Sequence, residues 1–523
     1  MAKFFNDTGN CIPARHYMVD TSGKIKKIIT LIEQGKYFTF NRPRQYGKTT
    51  TISALANKLK ENSEYFVIRL SFEGIGDSIF ESNLHFCERF VHYIKEEVEF
   101  LDTDYAKHFQ FVHEENTGFD YLSKVITNFV SSIPKKVVII IDEVDKSSDN
   151  QLFLHFIGLL RDKYLKQNEG RDHTFYSVIL AGVHDVKTLK LKISPESTGK
   201  LNSPWNIASD FTIDMSFNAQ EISTMLIDYC KDKNMEMDIA AISERIYYYT
   251  SGYPYLVSKM CKVVDEIILQ EKQIQNQWTV DDMELCFKKI SAENYTTTLF
   301  DDLTKNLENN PELYQTVFDV IINSERLSFN INDPVINLGF IFGIFTDKEP
   351  NLSIHNRIFE QRIYNYLLSK YNRTNIRKHE QISVFHSENG LVVSAILRKF
   401  QQFMRENNSD KDKAFLEREG RLLFLSFIKP IINGSGFDFK EPTVGNERRM
   451  DLVITYLSER YVIELKRWEG EVYHKKGLQQ LSDYLDIYSL KKGYLLIYDF
   501  RKEKEYREET IQFGDKEIFA VWV

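Results

Sequence analysis

The sequence contains few cysteines and lacks any long apolar run. The five cysteines, Cys11, Cys87, Cys230, Cys261 and Cys286, are widely scattered and odd in number. A disulfide framework or a metal site needs closer and more regular spacing, so we expect reduced thiols. No stretch approaches the roughly 20 apolar residues of a membrane helix, and the start lacks the apolar core of a secretory signal. We therefore expect a cytoplasmic protein with no membrane partner.

The sequence also has no excess of basic residues. Its 67 Lys and Arg against 75 Asp and Glu give a net charge of -8. This balance argues against a chain that coats nucleic acid non-specifically, so any nucleic-acid site must be local. At 523 residues, the chain exceeds what one hydrophobic core usually serves, and we expect two to four domains.

Short apolar runs alternate with helical patterns over residues 1–290. These runs are Tyr37–Phe40, Tyr65–Leu70, Val137–Ile141 and Tyr176–Ala181. Unalternating, β-branched runs separated by helices predict buried parallel strands, and hence an α/β fold with helices on both faces of the sheet. The segment 215–290 has helical periodicity broken at Ser251–Pro254, which predicts a helical lid beside the sheet.

Two further domains are predicted downstream. Residues 291–373 show helices, then a hairpin-like stretch at 338–345, a pattern typical of a winged helix. The polar segment Lys370–His379 is predicted to be a linker. Residues 374–523 open with helices and continue with strands at about 449–456, 461–467 and 493–499, which predicts a C-terminal α/β domain.

A phosphate-binding loop is predicted after the first strand. Asn41-Arg-Pro-Arg-Gln-Tyr-Gly47-Lys48-Thr49-Thr50 precedes a helical pattern. Strand, loop, Gly-Lys-Thr and helix form a Walker A arrangement, which aims backbone N–H groups and a helix N-terminus at phosphates. Gly47 would let the backbone approach, Lys48 would reach the β/γ oxygens, and Thr49 would offer a hydroxyl to Mg²⁺. Arg42 stands where the usual motif begins with glycine.

A second apolar strand, Val137–Ile141, ends in Asp142 and Glu143, as a Walker B strand does. Charges at the tip of a buried strand are unfavourable unless they bind something, and Mg²⁺ bridging nucleotide phosphates suits them. Asp142 would bind that ion, and Glu143 would polarise the attacking water. The alternative is a solvated loop and a capped strand end.

Together with Leu180–Val186 and Ser251–Pro254, these motifs resemble the AAA-ATPase-like family of bacterial proteins over roughly residues 10–290. The domain order is similar to that of STAND ATPases, whose winged helix usually acts as a nucleotide-dependent hinge. The resemblance implies a P-loop NTPase fold and is compatible with a homo-oligomer. It implies that ATP is bound by Arg44, Gln45, Tyr46, Gly47, Lys48, Thr49, Thr50 and Asp142, with Thr49 and Asp142 at the Mg²⁺.

By the same resemblance, His184 and Arg161 are further candidates, and Arg44 has a second possible role. His184 is the nearest match to a residue that senses the γ-phosphate, with a surface-turn histidine as the alternative. Arg44 and Arg161 are candidates for phosphate-contacting or finger arginines, or are simply solvated.

The C-terminal domain carries a second constellation. Arg448-Arg-Met-Asp451-Leu-Val-Ile-Thr, a short turn and Tyr461-Val-Ile-Glu464-Leu-Lys466-Arg predict a hairpin. The period of two in a strand places Glu464 and Lys466 on the same face, and Asp451 near the matching end of the neighbouring strand. A divalent metal would offset the burial of both carboxylates and would stabilise charge on a scissile phosphate, while Lys466 would orient the attacking water.

This pattern, Asp-x12-Glu-x-Lys, resembles the PD-(D/E)XK nuclease superfamily, with Met450 in place of the usual proline. The resemblance implies a restriction-endonuclease-like domain. It implies metal binding by Asp451 and Glu464, catalysis with Lys466, and a supporting role for Gln480 in a following helix. Tyr484, four residues on, and Glu419 upstream are secondary candidates.

Two functional hypotheses follow. In the first, ATP binding or hydrolysis controls cleavage of DNA or RNA by the C-terminal domain. In the second, the chain is a nucleotide-dependent switch or oligomerisation module whose C-terminal domain only binds nucleic acid or a protein. The alternative for the carboxylates is an edge hairpin with a cross-strand salt bridge. Arg448, Arg449, Arg467, Lys475 and Lys476 would hold a phosphate backbone or only solubilise the surface, and Trp468 would stack on a base or pack on the domain.

Overall fold

A computed structural model describes most of the chain, which divides into two compact units. The first unit comprises Met1–Cys286 with Leu338–Gly343, and the second comprises Phe287–Asn337 with Ile344–Val523. The described residues are 3–74, 79, 82–107, 118–144, 151–183, 207–209, 211–272, 276–292, 294–322, 327–348, 350–374, 385–387, 390–406, 413–432, 436–439, 452–457, 459–501 and 505–523.

A parallel sheet lies at the centre of the first unit. Its strands are β1 (Phe38–Asn41), β2 (Tyr65–Ser71), β3 (Lys136–Asp142) and β4 (Ser177–Gly182), in the order β1-β4-β3-β2. All three pairings are parallel. A parallel bridge from Phe38 to Ser209 extends the sheet beyond β1. The four predicted strands and the α/β class are confirmed.

Helices cover this sheet because its strands are apolar on both faces. Every residue of β4 is buried, and only Lys136 of β3 is exposed. The helices before and between the strands are α1 (Ser22–Glu33), α2 (Lys48–Lys60), α3 (Asn83–Leu101), α4 (Thr103–Ala106), α5 (Phe119–Ser132) and α6 (Gln151–Asn168). One hydrophobic core joins β2 and β3 to α3, α5 and α6.

The segment after the sheet is helical, as predicted. It contains α7 (Ala219–Lys233), α8 (Ile239–Thr250), α9 (Pro254–Val263), a π-helical turn (Val264–Ile268), α10 (Leu269–Glu271) and α11 (Val280–Ser291). The break at Ser251–Tyr253 depends on Gly252, whose φ is +73°. A Cβ on Gly252 would lie 1.8 Å from the carbonyl oxygen of Phe217. Only glycine therefore fits this turn.

The predicted hairpin-like stretch at 338–345 is wrong in its first half. Helix α14 (Pro334–Ile341) runs through it, and only Phe345–Thr346 (β5) pairs with Ser353–Ile354 (β6). The physical reason is a helix start: Asp333 Oδ1 accepts from the backbone N of Val335 at 2.9 Å and of Ile336 at 3.1 Å. An acidic N-cap followed by proline at the first helical position favours a helix over a strand.

Three helices of the second unit pack on one another, and the last of them also contacts β6. They are α12 (Thr298–Glu308), α13 (Pro311–Ile321) and α15 (Arg357–Thr374). The predicted linker at 370–379 is wrong at its start, because α15 continues to Thr374. The rest of that prediction, residues 375–379, lies outside the described part. Its polar composition is compatible with a helix that faces water on one side.

The C-terminal sheet has the order β13-β14-β12-β11-β10-β9. Its strands are β9 (Gly436–Phe439), β10 (Leu452–Tyr456), β11 (Glu459–Arg467), β12 (Lys492–Tyr498), β13 (Glu508–Phe513) and β14 (Lys516–Trp522). The predicted hairpin is confirmed, since β10 and β11 are antiparallel with Leu452 opposite Ile463. Strands β11, β12 and β14 are parallel, so their carboxyl ends meet at one edge.

A two-stranded ladder and three helices flank this sheet in the described part of the second unit. They are the short ladder of β7 (His386–Ser387) with β8 (Gly390–Leu391), and the helices α16 (Val393–Glu406), α17 (Lys413–Ile432) and α18 (Glu471–Ile487). Helix α18 packs its apolar face on β11 and β12. Across the described stretches of both units, the helices are too short or too polar to span a bilayer.

Candidate functional site

The Walker A loop joins the end of β1 to the start of α2. Arg42 N donates to Gly182 O at 3.1 Å, which fixes the loop against the end of β4. Gly47 precedes the helix with a φ of +76°, and its carbonyl accepts from Thr51 N at 2.9 Å. The loop therefore ends at a helix N-terminus, where backbone N–H groups without helical partners can bind phosphate.

Asp142 lies at the same edge of the sheet, at the last position of β3. Its side chain is only 2% exposed. The carboxylate accepts a hydrogen bond from the backbone N of Glu143 at 3.0 Å, and the Thr49 hydroxyl lies close enough to lower the pKa of the Asp142 carboxyl. The predicted metal-binding pair, Thr49 and Asp142, therefore lies at the same edge of the sheet, with the hydroxyl near the carboxylate.

Burial raises the pKa of Asp142, against hydrogen bonds and two cations that lower it. The larger of the two opposing charges is Lys48, followed by Arg69. A carboxylate whose charged form is disfavoured by desolvation gains most from a cation beside it. The site is therefore suited to a divalent metal with phosphate ligands.

Lys48 is 6% exposed and lies under its own loop. Its Nζ donates to the carbonyl oxygens of Arg42 at 3.0 Å and Pro43 at 3.2 Å. These contacts aim the ammonium group across the inside of the loop, which is where phosphate oxygens would replace the carbonyls as partners.

The middle of the loop is held by the turn before α9. The Tyr46 hydroxyl lies 2.9 Å from Ser216 Oγ, and its ring packs edge-on against Tyr253 with centroids 4.7 Å apart. The Tyr253 hydroxyl donates to Arg44 O at 2.5 Å. Arg44 and Gln45 themselves are exposed, and Gln45 has a φ of +56°. Sequence reasoning missed Tyr253, although the Ser-Gly-Tyr-Pro motif contains it.

Thr50 faces the N-terminal segment rather than the loop. Its Oγ1 accepts from Cys11 N at 3.1 Å, and Asn10 Nδ2 donates to Ser53 Oγ at 3.1 Å one turn away. The helix that starts the nucleotide site is thus also bound by the first residues of the described chain.

The remaining N-terminal candidates are less defined. Glu143 is half-buried, with a φ of +58° that turns the chain away from the strand. A non-glycine residue in this region is uncommon and often marks a functional position. Arg161 lies half-buried on α6. His184 lies outside the described residues.

In the second unit, Glu464 and Lys466 form an ion pair inside β11. Lys466 Nζ lies 2.7 Å from Glu464 Oε1, and the two side chains are 33% and 0% exposed. The period of two predicted their shared face correctly. Asp451, Arg448 and Arg449 lie outside the described residues, and so does the side chain of Glu419, so their predicted convergence with Glu464 stays a prediction.

A cavity of about 240 Å³ opens beside this pair. Gln480, half-buried on α18, lines it together with Lys466. Tyr484 is 1% exposed and belongs to the core beneath, so it does not line the cavity. Sequence reasoning missed Tyr473 and His474, which also line the cavity and which carry no motif.

The oxygen atoms of Thr49 and Asp142 suit a magnesium ion that also binds phosphate and water, rather than a metal ion held by protein side chains alone. Within the described ranges, no group of three or more His, Cys, Asp or Glu side chains is placed to hold a metal ion. Mg²⁺ usually keeps several waters and takes one or two carboxylates plus substrate phosphates, which matches Asp142 with Thr49.

Comparison with known proteins gives one sequence match. Residues 13–361, more than half of the chain, match the family described as "AAA-like domain". No curated protein matches the sequence.

Solved structures give weak likenesses. The Walker-type ATPase PABY2304 of Pyrococcus abyssi is 9% identical, covers 69% of this chain and 99% of its own, and has a TM-score of 0.46. Cdc6p of Pyrobaculum aerophilum is 12% identical, with 70% and 97% covered and a TM-score of 0.34. The RuvB branch migration motor of Thermotoga maritima is 14% identical, with 67% and 95% covered and a TM-score of 0.33.

Proposed function

The chain belongs to the AAA-like domain family, and we propose that it binds ATP with Mg²⁺ at the Walker A loop and hydrolyses it. The observation that carries this proposal is the burial of Asp142 at the end of β3, with Lys48 held beneath the Walker A loop and, like the Thr49 hydroxyl, close enough to lower the pKa of the Asp142 carboxyl. A hydroxyl and a carboxylate at one edge of a parallel sheet, beside a helix N-terminus, form a magnesium-phosphate site.

Each residue has a separate task in this proposal. Lys48 exchanges its contacts with Arg42 O and Pro43 O for phosphate oxygens. Thr49 and Asp142 hold the ion, directly or through water, and Glu143 orients the attacking water. When bound, Mg²⁺ neutralises charge that develops on the transferred phosphoryl group.

The test compares ATP binding and turnover in three variants. Lys48→Ala should weaken ATP binding, and Glu143→Gln should bind ATP but not turn it over. Lys58→Ala is the matched control, since Lys58 lies in the same helix with its side chain 57% exposed and should behave as wild type. Equal turnover in wild type and Glu143→Gln would rule out Glu143 as the residue that orients water.

We further propose that the nucleotide state controls a metal-dependent nuclease formed by residues 374–523, with residues 291–373 as a winged-helix hinge. The buried Glu464 and its partner Lys466 support this proposal, because a fully buried carboxylate needs a cation beside it. In this proposal Asp451 and Glu464 hold Mg²⁺, and Lys466 and Gln480 position water against a phosphodiester of DNA or RNA.

The experiment is Mg²⁺- or Mn²⁺-dependent degradation of linear, circular and single-stranded DNA and of RNA, with and without ATP. Glu464→Ala should abolish cleavage, whereas Glu459→Ala, an exposed carboxylate on the same strand, should not. Cleavage that survives in Glu464→Ala would eliminate Glu464 as a ligand. ATP binding without cleavage of any substrate would favour the switch or oligomerisation module, and sedimentation with ATP would then test for a homo-oligomer.

A further inference from the structure

The cavity beside Glu464 and Lys466 has an aromatic and basic lining that hydrolysis of a phosphodiester does not require. It lies where β11 ends and α18 begins. The residues that matter for its chemistry are Lys466, Trp468, Tyr473, His474, Lys476 and Gln480. Three rings and two ammonium groups thus meet at one edge of the sheet.

The rings form a connected cluster. The centroid of the Trp468 ring lies 5.6 Å from that of His474 and 6.3 Å from that of the buried Trp522. His474 in turn lies 5.6 Å from Trp522. Trp522 is buried behind Trp468 and His474, while Trp468 is half-buried and Tyr473 is 57% exposed.

The imidazole of His474 contributes an aromatic surface to this cluster rather than a positive charge. Burial lowers the pKa of His474 from its ordinary value of 6.5, so the side chain is uncharged at neutral pH. A neutral imidazole can stack with an aromatic ligand without adding charge to the cavity.

Cations surround the rings. The Arg501 guanidinium lies 5.4 Å from the Trp468 ring centroid, and that of Arg507 lies 4.2 Å from Trp522. Arg501 is oriented by Asp499, which is 1% exposed, through a contact of 2.6 Å. Arg467, Lys475 and Lys476 are exposed at the same edge. Glu469 also lines the cavity, so the lining is basic but not uniformly so.

The size of the cavity limits the ligand. About 240 Å³ is smaller than the roughly 300–1,000 Å³ of sites for drug-sized molecules, so it suits one planar ring rather than a whole nucleotide. The exposed cations outside would then contact phosphates that follow the ring. Aromatic rings inside a basic rim are how proteins bind single-stranded nucleic acid without sequence preference.

We propose that this cavity, formed by Trp468, Tyr473 and His474, takes one unstacked base of a single-stranded nucleic acid and so brings the adjoining phosphate to Lys466. The part concerning cleavage rests on the proposed nuclease function, whereas the binding site does not. A base paired inside a duplex cannot enter, so the site selects single strands and frayed ends.

The experiment measures binding of a labelled oligothymidylate, alone and annealed to its complement, to the full-length protein. Glu464→Gln is used for the binding measurements so that no strand is cut. The single strand should bind at least about tenfold more tightly than the duplex. Trp468→Ala and Tyr473→Ala should each weaken single-strand binding by about 5- to 100-fold, as loss of one stacked base predicts.

Controls separate stacking from folding and from charge. Trp468→Phe should restore most of the affinity. Phe100→Ala, which removes a ring 86% exposed on α3, should change nothing. Lys476→Ala should reduce the dependence of affinity on salt, because it removes one phosphate contact. Since Tyr473 is largely exposed, its variant reports on binding even if Trp468→Ala unfolds.

Three outcomes overturn the inference: duplex bound as tightly as single strand, unchanged affinity in Tyr473→Ala, or equal affinity for free thymidine monophosphate and the strand. The nuclease proposal fails separately. If Glu464→Gln and wild type bind single strands alike but wild type cleaves nothing, the binding site stands and the nuclease does not. If wild type cleaves but duplex is bound as tightly as single strand, the base site is wrong and the nuclease stands.

Discussion

The two sheets hold their buried carboxylates in different ways. Asp142 ends β3 and accepts a hydrogen bond from the backbone N of Glu143, its neighbour in sequence, while Lys48 of the Walker A loop acts on its charge. Glu464 lies inside β11 and is neutralised by Lys466, two residues away on the same strand face. The first carboxylate depends on a loop brought together by the fold, and the second on a partner supplied locally.

Because of this difference, removing a charged side chain should have different effects on stability at the two sites. Removing the charge of Asp142 leaves the buried Lys48 in place, but Lys48 keeps its hydrogen bonds to the carbonyl oxygens of Arg42 and Pro43. The Glu464 pair is unequal: removing Lys466 leaves a fully buried carboxylate unpaired, whereas removing Glu464 leaves an ammonium group whose side chain is 33% exposed. We expect the first site to be functionally sensitive and structurally tolerant, and the second to be sensitive in both respects.

The largest effect is expected from Asp142→Asn. ATP turnover should fall by about 100-fold or more, the usual result of removing one group that stabilises transition-state charge. The melting temperature should stay equal or rise, because the amide is buried more easily than the carboxylate. Asp162→Asn, whose carboxylate is 54% exposed on α6, is the control. A large fall in the melting temperature of Asp142→Asn would contradict the expectation that the first site tolerates substitution structurally.

Lys466→Met should lower stability by up to about 3 kcal/mol, because it leaves the Glu464 carboxylate buried and alone. Denaturation midpoints measure this effect. Glu464→Gln combined with Lys466→Met should recover part of the loss, and the double-mutant cycle gives the coupling between the two side chains. Additive effects would mean that the ion pair does not hold this strand.

A smaller effect is expected from Gly477→Ala on α18. A Cβ there would lie 3.5 Å from Cγ and 3.7 Å from Cε of Lys466, which is ordinary contact. Alanine in a helix should then raise stability by about 0.5–1 kcal/mol and support the lysine stem. In the first unit, Gly252→Ala should instead destabilise strongly, because its Cβ would overlap Phe217 O. Equal responses at the two glycines would contradict the packing described for both.

The smallest effect is a difference in pH dependence. Burial raises the pKa of Asp142 above its ordinary 3.8, so the folded state holds a proton that the unfolded state has released. The contribution of Asp142 to the free energy of unfolding is therefore fully present below pH 3.8. It is lost as the pH rises through the raised pKa of the folded state. Melting of Asp142→Asn relative to wild type should show a stability difference that grows in the variant's favour over that interval. A difference that shrinks with pH would reverse the assigned direction.

Local patterns predicted the elements on which both sites stand. β-branched runs gave the four parallel strands, and strand ends followed by Gly-Lys-Thr or Asp-Glu placed Thr49 and Asp142 at one edge. The period of two gave the Glu464 and Lys466 face. These predictions succeed because parallel strands share an edge and strand faces alternate, whatever surrounds them.

Contacts between distant segments could not be predicted in the same way. Tyr253 meets Arg44 across 209 positions of sequence, and no spacing rule joins them. Trp468, Tyr473 and His474 surround a cavity only because α18 packs back on β11 and β12. By contrast, the start of α14 could have been predicted from the sequence, since Asp333 and Pro334 form a helix-start signal. The apolar run that follows them suggested a strand instead.

One consequence follows from Leu338–Gly343, the short segment that returns to the first unit after the chain has entered the second. A Cβ on Gly343 would lie 2.7 Å from Pro43 Cγ, so the segment fits tightly against the Walker A loop. A gene fragment that stops at Cys286 would therefore not encode the whole nucleotide-binding unit. A protein expressed from such a fragment would lack the segment Leu338–Gly343 that packs against the Walker A loop. A fragment that extends to residue 361, where the family match ends, would retain this segment.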